Sequence, residues 1–191
     1  MSMNGTFRVI NNLVRDGIIR RYAVTGAVAA MNYTEPMLTS DLDILISIAE
    51  LKQPQSGLVT LAPIFEHLRK AGYAEFKDEG VLIEGWPVQF LPVADDLDAE
   101  ALTQAIDIEL TDPADSASVK VTVLRAEHLV AIALRVGRLK DGARIIDFLE
   151  QETVDLQALA GVLDRHNLRD KWVKFCAQAG IIDSNIIDLT A

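Results

Sequence analysis

A chain of 191 residues, half of them hydrophobic and 24% charged, has a globular protein's composition and enough length for a substantial core, which excludes a disordered chain. The formal net charge of -10 argues against nucleic-acid binding through a broadly basic surface, though it leaves room for a local basic patch. A single cysteine, Cys176, excludes an internal disulfide and a cysteine-rich zinc site, and points to a reducing compartment. Residues 1–12 lack a basic segment followed by an apolar one, and no apolar run approaches the roughly 20 residues of a membrane helix. The expectation is a soluble cytoplasmic protein.

In chain order, Phe7-Arg8-Val9-Ile10-Asn11-Asn12-Leu13-Val14 reads as an amphipathic helix ending near Gly17, followed by a buried strand over residues 21–25 that Gly26 stops. Ala27-Val28-Ala29-Ala30-Met31 predicts a compact helix, broken at Glu35-Pro36. Leu42-Asp43-Ile44-Leu45-Ile46 is the clearest strand: Leu42, Ile44 and Ile46 share one face, and Asp41, Asp43 and Leu45 the other. A polar loop over residues 52–57 leads to a helix around Leu61, Phe65 and Leu68, closed by Gly72. Residues 73–76, 81–84 and 87–91 predict strands of a hairpin with a turn at Gly85, and Asp95-Asp96-Leu97-Asp98 suits a helix start. A further strand is expected over residues 119–123. Beyond Arg125, apolar residues recur at helical spacing at Leu129, Ile132, Ala133 and Val136, and again at Leu156, Leu159, Ala160 and Leu163. Trp172, Phe175 and Ala179 mark a last helix. The pattern predicts an α/β domain over residues 1–124 with a mixed sheet flanked by helices, and a C-terminal helical bundle over 125–191 packed on it.

Two features ask for more than packing. Val24-Thr25-Gly26-Ala27 runs a strand through glycine into a helix, a junction that offers backbone N–H groups to a phosphate and lets it approach closely. Asp41 and Asp43 lie two residues apart beside a strand, on one side, where their carboxylates can converge on a hard divalent cation such as magnesium. Either feature alone is commonplace. Their order, with the glycine fifteen residues upstream and one short helix between, raises the weight of both.

The segments Val24-Thr25-Gly26-Ala27-Val28-Ala29 and Thr39-Ser40-Asp41-Leu42-Asp43-Ile44 resemble the signature of the nucleotidyltransferase superfamily, in which a Gly-Ser or Gly-Ala pair precedes an Asp-x-Asp strand. Tyr33-Thr34-Glu35-Pro36, leading to Thr39, is similar to the abortive-infection (AbiEii-like) toxin branch, as are Glu127-His128-Leu129-Val130-Ala131-Ile132 and Gly137-Arg138-Leu139-Lys140-Asp141 with a further acid at Asp147. The resemblance spans roughly residues 20 to 165. It implies magnesium-dependent transfer of a nucleoside monophosphate from a nucleoside triphosphate such as ATP to an acceptor hydroxyl; a toxin–antitoxin-like system belongs to the alternative, a catalytically lapsed nucleotide- or protein-binding member of the fold. Asp41 and Asp43 would hold the metal, Gly26, Ala27, Thr39 and Ser40 the triphosphate, and Lys140 and Asp141 would contact the nucleotide. Three departures weaken the enzymatic reading. The position of a third carboxylate corresponds to Gln89, which cannot ionise; Ala27 lacks a phosphate-touching hydroxyl; and Met37 stands near where an arginine is usual. Glu84, across the hairpin turn, is the candidate substitute for the missing acid.

Other residues have plainer readings. His67, His128 and His166 form no metal-binding grouping, and the first two are expected at the surface or in packing. Cys176 is expected in the core, and Trp86 either stacks on a base or closes the core edge. Lys140 and Asp141 at a helix–helix corner read equally well as a capped turn. The acidic charge favours a protein or small-molecule acceptor over nucleic acid, and self-association stays open. The alternatives to an enzyme are a catalytically lapsed nucleotide- or protein-binding member of the fold and a domain that serves only in association.

Overall fold

The computed structural model describes residues 2–47, 60–112, 115–182 and 184–189; the polar stretch 52–57 lies outside them. The chain opens with helix α1 (Met3–Arg15), whose N-cap Ser2 accepts a hydrogen bond from the Gly5 N–H, satisfying one of the amides that a helix start leaves free. Phe7, Ile10 and Leu13 form its buried stripe, at the spacing an amphipathic helix requires. There follow β1 (Arg21–Thr25), the five-residue helix α2 (Gly26–Ala30) and β2 (Leu42–Ser47). After α3 (Ala62–Lys70) come three strands, β3 (Phe76–Lys77), β4 (Gly80–Ile83) and β5 (Trp86–Pro92). The sheet section closes with α4 (Asp96–Thr103), β6 (Ile106–Asp112) and β7 (Asp115–Val123).

These strands form one sheet in the order β3-β4-β5-β2-β1-β7-β6. The pairs β2/β5 and β1/β7 are parallel and the others antiparallel, so the sheet is mixed, as expected. Ile44, Leu45 and Ile46 of β2 are all buried, although they alternate between faces. Both sides of the central strand are therefore covered, which leaves its beginning, with Asp41 and Asp43, as the place where polar groups emerge.

The last part of the chain is helical: α5 (Ala126–Val136), α6 (Leu139–Glu150), α7 (Leu156–Arg165), α8 (Arg169–Ala179) and α9 (Ser184–Asp188). Gly137, in the left-handed conformation at φ 74°, caps α5 and turns the chain directly into α6. Helix α5 packs on α2 and α4 as well as on α6, α7 and α8, so it joins the helices to the sheet section. Trp172 is fully buried, its indole N–H donates to the Ile186 carbonyl at 2.9 Å, and its ring lies 5.9 Å from that of Phe175. Truncating Trp172 to alanine would open a large cavity, and a loss of about 3–5 kcal/mol is expected in urea denaturation; a loss under about 1 kcal/mol would show that α8 is not integrated into the core.

Several sequence expectations are corrected. Strand β6 was absent from the reading, although Ile106, Ile108 and Leu110 alternate with Asp107 and Glu109; its acids face outward on a sheet-edge strand, and Asp107 pairs with Lys120 at 2.7 Å. Residues 73–75 are not strand, and β3 is reduced to Phe76–Lys77. Residues 139–150 form a full amphipathic helix, in line with the helical region expected beyond Arg125. Glu84, the candidate substitute for the missing acid, is held at the hairpin turn. It occupies the turn at the end of β4, φ 51°, and its Oε1 accepts from the Tyr73 hydroxyl at 2.6 Å. The Ser2 N–H donates to the Glu84 carbonyl, which fixes this end of the hairpin against the start of α1.

Candidate active site

Asp43 is the second residue of β2, in register with Thr25 of β1 on one side and Gln89 of β5 on the other. Asp41 stands just before the strand, where its Oδ1 accepts from the Thr39 hydroxyl at 2.9 Å. Gly26 makes this placement possible. A Cβ added there would lie 2.2 Å from Asp43 Oδ2, and the residue has φ +66°, so both space and backbone conformation call for glycine.

Opposite the aspartates lies the start of α6. A cavity of about 560 Å³ is lined by Ala27, by residues 37–41 and Asp43, and by Arg138, Lys140, Ala143, Arg144 and Asp147. Six sequence-selected residues meet in its wall: Ala27, Thr39, Ser40, Asp41, Asp43 and Lys140. Gly26, Gln89 and Asp141 are outside the lining, Gly26 behind Asp43 and Gln89 one strand away. Arg138, Arg144 and Asp147 add the other charged groups of the wall, and none of them is among the site residues expected from the sequence. The signal for them is the helical pattern of residues 138–147, which turns positions three and four apart onto one face.

Asp141 faces inward, with its side chain only 2% exposed. It accepts from the Arg138 backbone N–H at 3.2 Å and from Arg138 Nε and Nη2 at 2.8 and 3.2 Å, a capping box at the start of α6. Arg144 Nη1 stands 3.8 Å from the same carboxylate. The buried acid thus fixes the Arg138 guanidinium at the cavity wall by hydrogen bonds and attracts that of Arg144 by charge. Those bonds hold the Arg138 pKa above its ordinary value, with Asp141 the main cause and Asp43 and Asp41 adding to it.

Burial raises the pKa of Asp43, and the neighbouring Asp41 charge raises it further; Lys140, Arg144 and Arg138 act in the opposite direction. A raised carboxyl pKa records negative charge held with incomplete compensation. Such a pair suits a divalent cation. Among the described residues no group of three or more acidic, histidine or cysteine side chains is placed to hold a metal, and Asp41 and Asp43 stand as a pair. Two protein carboxylates suit magnesium, which retains waters and takes other ligands from substrate phosphates.

No protein-family model matches the chain, and no curated protein matches it. Among solved structures it is similar to an antigenic nucleotidyltransferase-like protein from Paracoccidioides brasiliensis, with a TM-score of 0.50 and 16% identity over 89% of this chain and 92% of that one. The chain has a nucleotidyltransferase-like fold: mixed α/β, with a seven-stranded mixed sheet and flanking helices. No helix among the described residues is long and apolar enough to cross a membrane.

Proposed function

We propose that the chain is a metal-dependent nucleotidyltransferase that moves a nucleoside monophosphate from a nucleoside triphosphate to an acceptor hydroxyl. The observation that carries this reading is the opposition, across one cavity, of Asp41 and Asp43 to Arg138, Lys140 and Arg144. Two adjacent carboxylates on one wall, facing three cations and one further acid, Asp147, on the other, match a metal–triphosphate complex, whose cation seeks oxygen ligands and whose phosphates seek positive charge. Asp41 and Asp43 would hold Mg2+, which when bound supplies charge neutralisation to the reacting phosphates. Arg138 and Arg144, steadied by Asp141, and Lys140 would hold the phosphate oxygens. Thr39 orients Asp41, and Ser40 and Ala27 shape the wall near the phosphates.

Lys140 and Asp147, which line one cavity with Asp41 and Asp43, support kinship with the AbiEii-like branch. The cytoplasm, where nucleoside triphosphates abound, is the compartment that fits this chemistry. A net charge of -10 favours a protein or small-molecule acceptor over nucleic acid. One observation favours a second reading, a lapsed enzyme that still binds nucleotide: Gln89, the in-register neighbour of Asp43, is a neutral amide that neither ionises nor accepts a proton as a carboxylate does.

Calorimetric titration of ATP, with and without magnesium, tests the proposal. Wild-type protein is expected to bind ATP at least about 10-fold more tightly with magnesium, as a site where two carboxylates share the cation with substrate phosphates requires. An Asp41→Asn, Asp43→Asn variant is expected to lose that gain. A well-folded wild type that binds no nucleoside triphosphate in magnesium would sink the enzyme reading. Magnesium-dependent binding with no release of pyrophosphate would favour the lapsed one.

A further inference from the structure

Helices α6 and α8 both pack on α5, and between them lies a second cavity, of about 520 Å³. One face of each helix supplies its sides: Leu139, Gly142 and Ile146 from α6, and Lys171, Lys174 and Phe175 from α8, at the three- and four-residue spacing of a helix stripe. Gly142 keeps the cleft open, since a Cβ there would already touch Phe175 Cε2 at 3.5 Å. Leu139 is 97% exposed, an apolar side chain left in water at the mouth of the cleft.

The charge of this cleft runs against that of the molecule. A chain of net charge -10 places Arg138, Lys171 and Lys174 in the lining, which holds no acid among the described residues. Asp141 answers Arg138. Lys171 gives one N–H to the Arg135 carbonyl at 2.6 Å, and neither it nor Lys174 has an ion-pair partner among the described residues. An apolar floor is therefore rimmed by two uncompensated ammonium groups. A nucleic-acid backbone would answer the lysines but leave Leu139, Ile146 and Phe175 without apolar cover. A polypeptide segment that mixes apolar and acidic side chains answers both.

The cleft also adjoins the phosphate site. Arg138 and Ala143 line it and the cavity of Asp41 and Asp43 alike, so the two spaces meet at the start of α6. We propose that the cleft between α6 and α8 is the acceptor site, and that its occupant is an acidic, partly apolar segment of another protein that carries the hydroxyl to be modified. This inference rests on the nucleotidyl-transfer reading above. In the step, a serine, threonine or tyrosine oxygen of that segment bonds to the α-phosphorus and its proton passes to water. The bond from the α-phosphorus to the bridging oxygen breaks, and pyrophosphate departs with the electron pair.

The test uses the full chain and short fluorescent pools: peptides of random Asp, Glu, Leu, Ile and Phe around a central serine, threonine or tyrosine, the same peptides with Asn and Gln for the acids, and single-stranded RNA. Anisotropy reads pool affinity, labelled ATP with magnesium reads transfer, and affinity for a non-hydrolysable ATP analogue is measured separately. The acidic pool is expected to bind about 10-fold more tightly than the amide pool, the scale of two exposed ion pairs, and to take up label. Lys171→Gln, Lys174→Gln protein, altered only at exposed side chains, should lose that difference while analogue affinity stays within about 2-fold. Leu139→Ser should weaken both peptide pools at least about 5-fold. Asp41→Asn, Asp43→Asn protein should keep acidic-pool affinity and lose labelling. Equal affinity of the two peptide pools overturns the inference, as does RNA binding tighter than that of the acidic pool. So does an acidic pool that binds wild type and takes no label, although the analogue binds; the nucleotide site then stands without this acceptor. Absence of analogue binding by wild type removes the nucleotidyl-transfer reading itself, and the acceptor role with it.

Discussion

Gly26→Ala is expected to abolish most magnesium-dependent nucleotide affinity while leaving a folded protein. Two effects add at this one atom. The backbone at φ +66° is unfavourable for an L-residue by about 1–2 kcal/mol. The new methyl would sit 2.2 Å from Asp43 Oδ2, closer than any real contact, and a tight 3.1 Å from its Cγ, so the carboxylate must rotate away. A side chain yields more readily than a strand, and the stability loss should stay near about 2 kcal/mol. The functional loss is larger, because a displaced Asp43 no longer converges with Asp41 on one cation, and affinity for magnesium–ATP should fall at least about 10-fold. Denaturation and calorimetry on the same variant separate the effects. Adding Gly26→Ala to Asp43→Gly should cost only the backbone part, since the clashing carboxylate is gone. Full affinity in Gly26→Ala would show that Asp43 does not ligate the metal in the orientation seen.

The same residues show how much of the site the sequence revealed. Gly26, Asp41 and Asp43 were legible because local rules suffice: a strand stopped by glycine, and two acids at the strand period. The opposing wall was only half legible. Lys140 and Asp141 look like one basic–acidic pair in the sequence, yet a helix turns successive residues by about 100°. Lys140 consequently lines the cavity, whereas Asp141 is buried and serves Arg138 and Arg144. The positive charge missing near Met37 comes from the far end of the chain, through Arg138, Lys140 and Arg144. Only the packing of α6 on α5, which itself packs on α2 and α4, reveals that supply. Gly142, a poor helix former within α6, obscures the helix that delivers it. For Gln89, register with Asp43 could be anticipated from two strands reading alike. Its hydrogen-bond partner Glu79, in the turn between β3 and β4, could not, because a turn has no periodicity from which to read where its side chains end.

Glu100 should be the point at which acid loosens the attachment of the C-terminal helices. This carboxylate on α4 accepts from Arg165 Nε and Nη2 at 3.1 and 2.6 Å, lies 2.8 Å from His166 Nε2 and stands 3.2 Å from Nε2 of the buried His128. The Arg165 hydrogen bonds chiefly, with those of His166 and His128, pull its pKa down to about 2. Burial lowers the pKa of His128, while Glu100 opposes that shift. The signs agree. A depressed carboxyl pKa contributes stability that is present above the unfolded value of 4.5 and is lost as pH falls toward 2. A histidine kept neutral in the fold loses stability as pH falls through its unfolded value of 6.5, where the unfolded chain takes up the proton first. Urea midpoints should therefore decline in two stages on acidification. The lower stage is of order 2 kcal/mol, discounted because Arg165 is half exposed. Glu100→Gln should flatten that lower stage. Glu100→Ala should cost about 3 kcal/mol at pH 7, because it strips the partner from a histidine whose Nδ1 is already without one. Parallel acid curves for wild type and Glu100→Gln would place the acid sensitivity elsewhere and reduce this cluster to an ordinary surface pair.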